Sequence, residues 1–163
     1  MESPVQLSFP LPRSLDTRVY LHLTVKSKAI VLFLTTASTE EAASPTPLGS
    51  FVYALPDVCL LHDILPRCQL LTMTQKYNPS QPLATPLCTV EPTIEFTTRL
   101  AKLLARRTQR PTYVGNSISL ASTGLGGTVE EEMEAFKKVV EVALAQLQPV
   151  ITSAQTPSDG VHP

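Results

Sequence analysis

The chain has 163 residues, 43% of them hydrophobic and 17% charged, with 15 prolines against 6 glycines. That is one ordinary domain with material for a core, and it excludes disorder throughout, which needs low hydrophobicity and high net charge. Lys and Arg number 13 against 14 Asp and Glu, a formal charge of −1, so no global field draws the chain to nucleic acid or an anionic membrane.

Val5–Phe9 alternates apolar and polar residues as a half-buried strand does, and Pro10 and Pro12 end it. From Thr17 to Val25 the side chains of Val19, Leu21, Leu23 and Val25 share one face while Arg18, Tyr20, His22 and Thr24 share the other. After the polar turn Lys26-Ser27-Lys28, residues Ala29–Thr36 form a continuous apolar and β-branched run. Such a run predicts a strand covered on both faces or central in a sheet, forming a hairpin with its predecessor. Residues 37–49 lack an apolar period, carry Pro45, Pro47 and Gly49, and read as a loop. Phe51–Leu55 resumes strand character, and Pro82–Cys88, broken by Pro86, belongs at a sheet edge if it is a strand.

Between them, residues 58–75 are apolar without a period of two and contain Pro66, Cys59 and Cys68. This stretch reads as an insertion: either an ordinary cysteine-containing strand and loop, or a retained intron, since its terminal Val-Cys and Gln codons are compatible with splice junctions.

A helix is predicted over Pro92–Arg107. Proline suits a first helical position, Phe96, Leu100, Leu103 and Leu104 form one apolar stripe, and Arg106 and Arg107 meet the negative end of the helix dipole. Thr112–Ser119 reads as a strand followed by a glycine-rich loop at 122–128. Thr128 and Glu131 then make a capping box that opens a second helix, with Pro149 as its predicted close and Val129, Met133, Phe136, Val140, Ala143, Leu144 and Leu147 as its apolar face. Residues 150–163 are expected to form a disordered tail beyond a single domain spanning 1–149.

Three cysteines (Cys59, Cys68, Cys88) and three scattered histidines (His22, His62, His162) form neither a disulfide framework nor a metal-ligand spacing, so no metal or cofactor is expected. Cys88 is expected to pack as a small apolar residue. No leader or membrane-spanning run is read in the sequence, and a cytoplasmic, or also nuclear, location is expected. The GLGGT stretch before the second helix invites a phosphate-binding reading. No lysine follows it, however, and three glutamates do, so a small α+β enzyme or ligand-binding protein using this loop is kept as the alternative. Arg99, Lys102, Arg106, Arg107 and Arg110 crowd one segment of a nearly neutral chain and form the candidate partner-binding surface.

Thr98–Thr108 (TRLAKLLARRT), the strand Thr112-Tyr113-Val114, and Glu130–Phe136 (EEEMEAF) resemble the proteasome assembly chaperone 4 family in order and nearly in spacing. Weaker similarity extends over about residues 17–148, and residues 58–75 depart from the family pattern. The resemblance implies an α+β fold, an antiparallel sheet of about six strands packed with two α-helices. It also implies a non-catalytic chaperone that forms a heterodimer with a proteasome assembly chaperone 3-like protein and promotes assembly of the 20S proteasome α-ring through an α5-like subunit, with no nucleic acid or membrane involved. Leu100, Leu103, Leu104, Met133 and Phe136 are assigned to the core.

Overall fold

The computed structural model describes residues 4–14, 16–38, 47–56, 81–121, 123 and 127–155. The suggested insertion at 58–75, with Cys59, Cys68 and His62, and the last eight residues of the expected tail lie outside them. Strands β1 (Val5–Pro10), β2 (Thr17–Val25), β3 (Ile30–Ser38), β4 (Ser50–Leu55) and β5 (Leu83–Cys88) precede helix α1 (Glu91–Thr108). Strand β6 (Thr112–Ser117) and helix α2 (Val129–Gln155) follow.

The fold is α+β: one six-stranded sheet in the order β1-β2-β3-β6-β4-β5, with two helices. The β1–β2–β3 meander and the β4–β5 and β4–β6 pairs are antiparallel, whereas β3 and β6 run parallel. A parallel pair needs a long crossover, and here the route from β3 back to β6 passes through β4, β5 and α1. The expected antiparallel sheet is therefore mixed at this one seam. β5 lies at the edge, where Pro86 removes no interior ladder bond.

The two-residue pleat of β2, β3, β4 and β6 sends Val19, Leu21, Leu23, Ile30, Leu32, Leu34, Val52, Ala54 and Val114 into one buried cluster. α1 covers the β4–β6 side with Phe96, Leu100, Ala101, Leu104 and Ala105, and α2 adds Ala135, Val139, Ala143 and Leu147 to the same core. Leu100 and Leu104 are fully buried; Leu103 and Phe136 are half-buried against that cluster. Met133 is 41% exposed, a correction to its core assignment. It shares the apolar period of α2, but in the first turns that period points past the edge of α1, beside exposed Val129. Cys88, on the edge strand, is exposed rather than packed.

α2 opens as the capping box requires, and the box is more elaborate than its sequence pattern. Glu131 is 1% exposed. Its Oε2 accepts from the backbone N–H groups of Thr128 (3.0 Å) and Gly127 (3.0 Å) and from the Thr123 hydroxyl (2.7 Å). The Thr128 hydroxyl receives the Glu131 N–H at 3.4 Å. The helix does not stop at Pro149: it continues to Gln155 with the proline inside it. Residues 150–155, expected in the tail, are thus helical, and Val150 and Ile151 pack on the core.

Candidate partner-binding surfaces

Both helices lie on one face of the sheet, and among the described residues no helix covers the other. Its residues are not those of an ordinary wetted face. Phe33 of β3, Gly115 of β6 and Phe51 of β4 occupy consecutive register positions. The glycine lets the two flanking rings close over the middle strand: a Cβ built at Gly115 would stand 2.5 Å from Phe33 Cδ1. The Phe33 and Phe51 rings stack at 6.0 Å with a 13° tilt. Phe51 then meets Tyr113 at 6.2 Å, and Tyr113 meets its register partner Tyr53 at 4.6 Å. Burial, and after it the neighbouring Tyr113, raises the Tyr53 phenol above its ordinary pKa of 10.0, which keeps it neutral across the physiological range. Phe33 remains 39% exposed and Leu48, at the end of this ladder, 50%. A shallow depression of about 350 Å³ beside them is lined by Tyr20, His22, Phe33 and Leu48. The His22 Nδ1 lies 3.4 Å from the Gln6 Nε2 on the adjacent strand.

The cationic residues read from the sequence do not form one stripe. Arg99 is engaged within the chain, paired with Glu95 one turn earlier and 3.9 Å from Glu132 of α2. Lys102 is half-buried. Arg106 and Arg107 are exposed in the last turn of α1, and among the described residues they have no ion pair. Arg110 turns toward the β2–β3 turn, donating from Nη1 to the Lys26 carbonyl at 3.2 Å. This contact, with the Ile30 N–H donating to the Pro111 carbonyl at 2.9 Å, brings the exposed Lys26 and Lys28 to the same end of the sheet. Sequence reading missed these two lysines, which lie far from α1 in the chain; only the return of the chain into β6 joins them to Arg106, Arg107 and Arg110.

The opposite end is acidic. The first turns of α1 and α2 lie together there, with Phe96 edge-on to Phe136 at 5.1 Å, and they carry Glu91, Glu95, Glu130 and Glu132. Glu131 takes the N–H groups of Gly127 and Thr128 that lead into α2, and its own N–H is taken by the Thr128 hydroxyl, which counts against the anion-binding alternative for the glycine loop. Ser122 and residues 124–126 of that loop lie outside the described residues. Among the described residues no group of His, Cys, Asp and Glu could hold a metal ion, and no helix is long and apolar enough to cross a membrane.

The family model for proteasome assembly chaperone 4 matches residues 70–118. That span contains α1 and β6, and with them the TRLAKLLARRT helix on which the sequence resemblance rests; the EEEMEAF block lies beyond it. Among curated proteins none matches. A solved structure described as the crystal structure of a novel chaperone complex for yeast 20S proteasome assembly superposes with a TM-score of 0.52. The superposition covers 91% of this chain and 97% of that one at 15% identity, a similarity of fold.

Proposed function

We propose that this chain is a non-catalytic proteasome assembly chaperone that pairs with a similar small chaperone of the chaperone 3 type and promotes assembly of the 20S α-ring, in the cytoplasm and nucleus. The observation that carries the pairing is the aromatic face. The apolar run of β3 asks for cover on both sides of the sheet, yet the helices cover one. Phe33, Phe51, Tyr53 and Tyr113 form a contiguous apolar surface of the kind that marks a protein interface. The family match over residues 70–118 and the fold shared with a proteasome-assembly chaperone support the assembly role.

In this reading the basic end, Arg106, Arg107 and Arg110 with Lys26 and Lys28, meets an acidic surface of an α5-like subunit. Of the sequence-derived cluster, Arg99 is engaged by Glu95 and Glu132 at the other end of the helix layer, and Lys102 is half-buried between the two ends. Exposed charges of this kind accelerate encounter and keep the contact sensitive to salt, which suits a factor that must leave. Native mass spectrometry of the endogenously tagged chain tests both contacts. A one-to-one complex with a similar small chain, extended by an α subunit, is expected. Arg106→Glu with Arg107→Glu should lose the α subunit and keep the small partner. Recovery of the chain alone, from cells that are building proteasomes, refutes the reading.

A further inference from the structure

Among the described residues one hydroxyl side chain stands directly before a proline: Thr85, followed by Pro86 in the middle of β5. Ser3, Ser44, Thr46 and Thr156 also precede proline and lie outside those residues. β5 is the edge strand, hydrogen-bonded to β4 alone, and its register slips beside the Val52–Pro86 pair. Thr85 is exposed. Its hydroxyl makes no hydrogen bond among the described residues, whereas those of Thr93, Thr97, Thr108, Thr112 and Thr123 are all bonded inside the fold. The register sets Thr85 opposite Tyr53 and Leu83 opposite Leu55, with Ala84 between them packed on the core. Thr85 therefore lies on the open face, next in line after the Tyr113–Tyr53 aromatic pair.

A proline-directed kinase takes its substrate as an extended chain. Proline forces the residue before it toward that conformation and brings no N–H that the enzyme must satisfy. An edge strand held on one side opens locally at a fraction of the cost of unfolding the domain. We propose that Thr85 is a phosphorylation site and that its modification blocks the aromatic face; the blocking rests on the proposed pairing, the modification does not. The Thr85 Oγ1 attacks the γ-phosphorus of ATP: the new O–P bond forms as the bond to the β,γ-bridging oxygen breaks, ADP leaves, and the hydroxyl proton passes to the catalytic carboxylate of the kinase. The product carries about −1.5 to −2 charges beside Tyr53. The outward residues that the register places on β3, β6, β4 and β5, among them Val31, Phe33, Tyr113, Phe51, Tyr53 and Leu83, include no cation, and Arg110 at the basic end is turned to the Lys26 carbonyl. In the single chain the phosphate stays hydrated at the sheet edge. Under a partner it becomes a desolvated charge with no counter-charge from this chain, so the pair is the state it opposes. Pairing in turn hides Thr85 from the kinase, because the coupling is reciprocal.

The full chain is treated with a purified proline-directed kinase of the mitogen-activated class and Mg-ATP, the phosphorylated residues are mapped by mass spectrometry, and Kd for the chaperone 3-type partner is measured before and after. Phosphate on Thr85 is expected, absent from Thr85→Val and strongly reduced in Pro86→Ala. Thr85→Val keeps the β-branched shape that suits a strand and should pair as the parent does. The chain phosphorylated on Thr85 should keep its circular-dichroism spectrum and bind the partner about thirtyfold or more weakly. Thr85→Val given the same treatment carries phosphate only at the other proline-flanked residues and should keep its Kd within twofold. Partner added before the kinase should slow modification of Thr85 and leave those other residues unaffected. The inference is overturned by an unmodified Thr85, by a Thr85-phosphorylated chain that pairs as tightly as the parent, or by an equal loss of affinity in treated Thr85→Val. A parent that does not pair refutes the proposed pairing and the blocking together, whereas an unmodified Thr85 in a chain that pairs refutes this inference alone.

Discussion

Replacing Phe33 by threonine tests the aromatic face most directly, because threonine keeps the strand preference of the site while removing the ring. A phenylalanine presents roughly 200 Å², and with 39% of the residue exposed in the single chain about 80 Å² is still available to a partner. At about 25 cal/mol per Å² this is about 2 kcal/mol of association free energy, or about 30-fold in Kd. The single chain also loses the stacked contact with Phe51 and the covered part of the ring, about 2–3 kcal/mol together, so its melting temperature falls. Kd must therefore be measured by titration calorimetry well below the transition, against the chaperone 3-type partner, with circular dichroism showing that the variant is folded. Met133→Ala is the matched control: Met133 is 41% exposed, nearly the same as Phe33, but sits on the helix layer. It should leave Kd within twofold of the parent. A Phe33→Thr affinity within threefold of the parent, or an equal loss in Met133→Ala, refutes the assignment of the interface to this face.

Glu131→Ala strips three donors of a buried acceptor; a loss of about 3 kcal/mol, or roughly 6–12 °C in melting temperature for a chain of this size, is expected in thermal denaturation, and a loss below 1 kcal/mol would mean that water or other groups replace the carboxylate at no cost. Pro149→Ala restores the N–H that can bond to the Ala145 carbonyl within α2, and should stabilise the chain by about 1–3 kcal/mol in the same assay. Tyr53 is raised above 10.0 in the folded chain, so its contribution to stability is complete below about pH 10 and is lost as pH climbs through the higher folded value. Melting curves across the alkaline range should show a decline that Tyr53→Phe reduces.

The elements announced themselves because each rests on local chemistry. Alternation in β2, the proline-led and arginine-ended α1, and the Thr128–Glu131 box all act within a few residues of themselves, and all appear in the structure. Pro149 misled for the same reason. A proline ends a helix on local grounds, yet Val150 and Ile151 find core contacts beyond it, and packing outweighs the missing hydrogen bond. The parallel β3–β6 seam was not legible, since register between strands so distant in the chain is set by how α1 returns to the sheet. Nor was the fate of the basic residues: Glu132, on another helix, lies 3.9 Å from Arg99, while Lys26 and Lys28 join the cluster only through the Arg110 contact.

The run Ala29–Thr36 carries more information than its strand assignment. A strand in a sheet covered by helices on one side should alternate in polarity, as β2 does, whereas β3 places the apolar residues Val31 and Phe33 on the side away from the helices. Gly115 makes room for two rings from neighbouring strands to stack across it, although glycine weakens a strand interior and a β-branched residue there would strengthen it. The glycine costs stability in the single chain and creates a flat aromatic surface. In the proposed pairing that surface is covered by the partner, and the helix layer on the opposite side leaves the basic and acidic ends accessible.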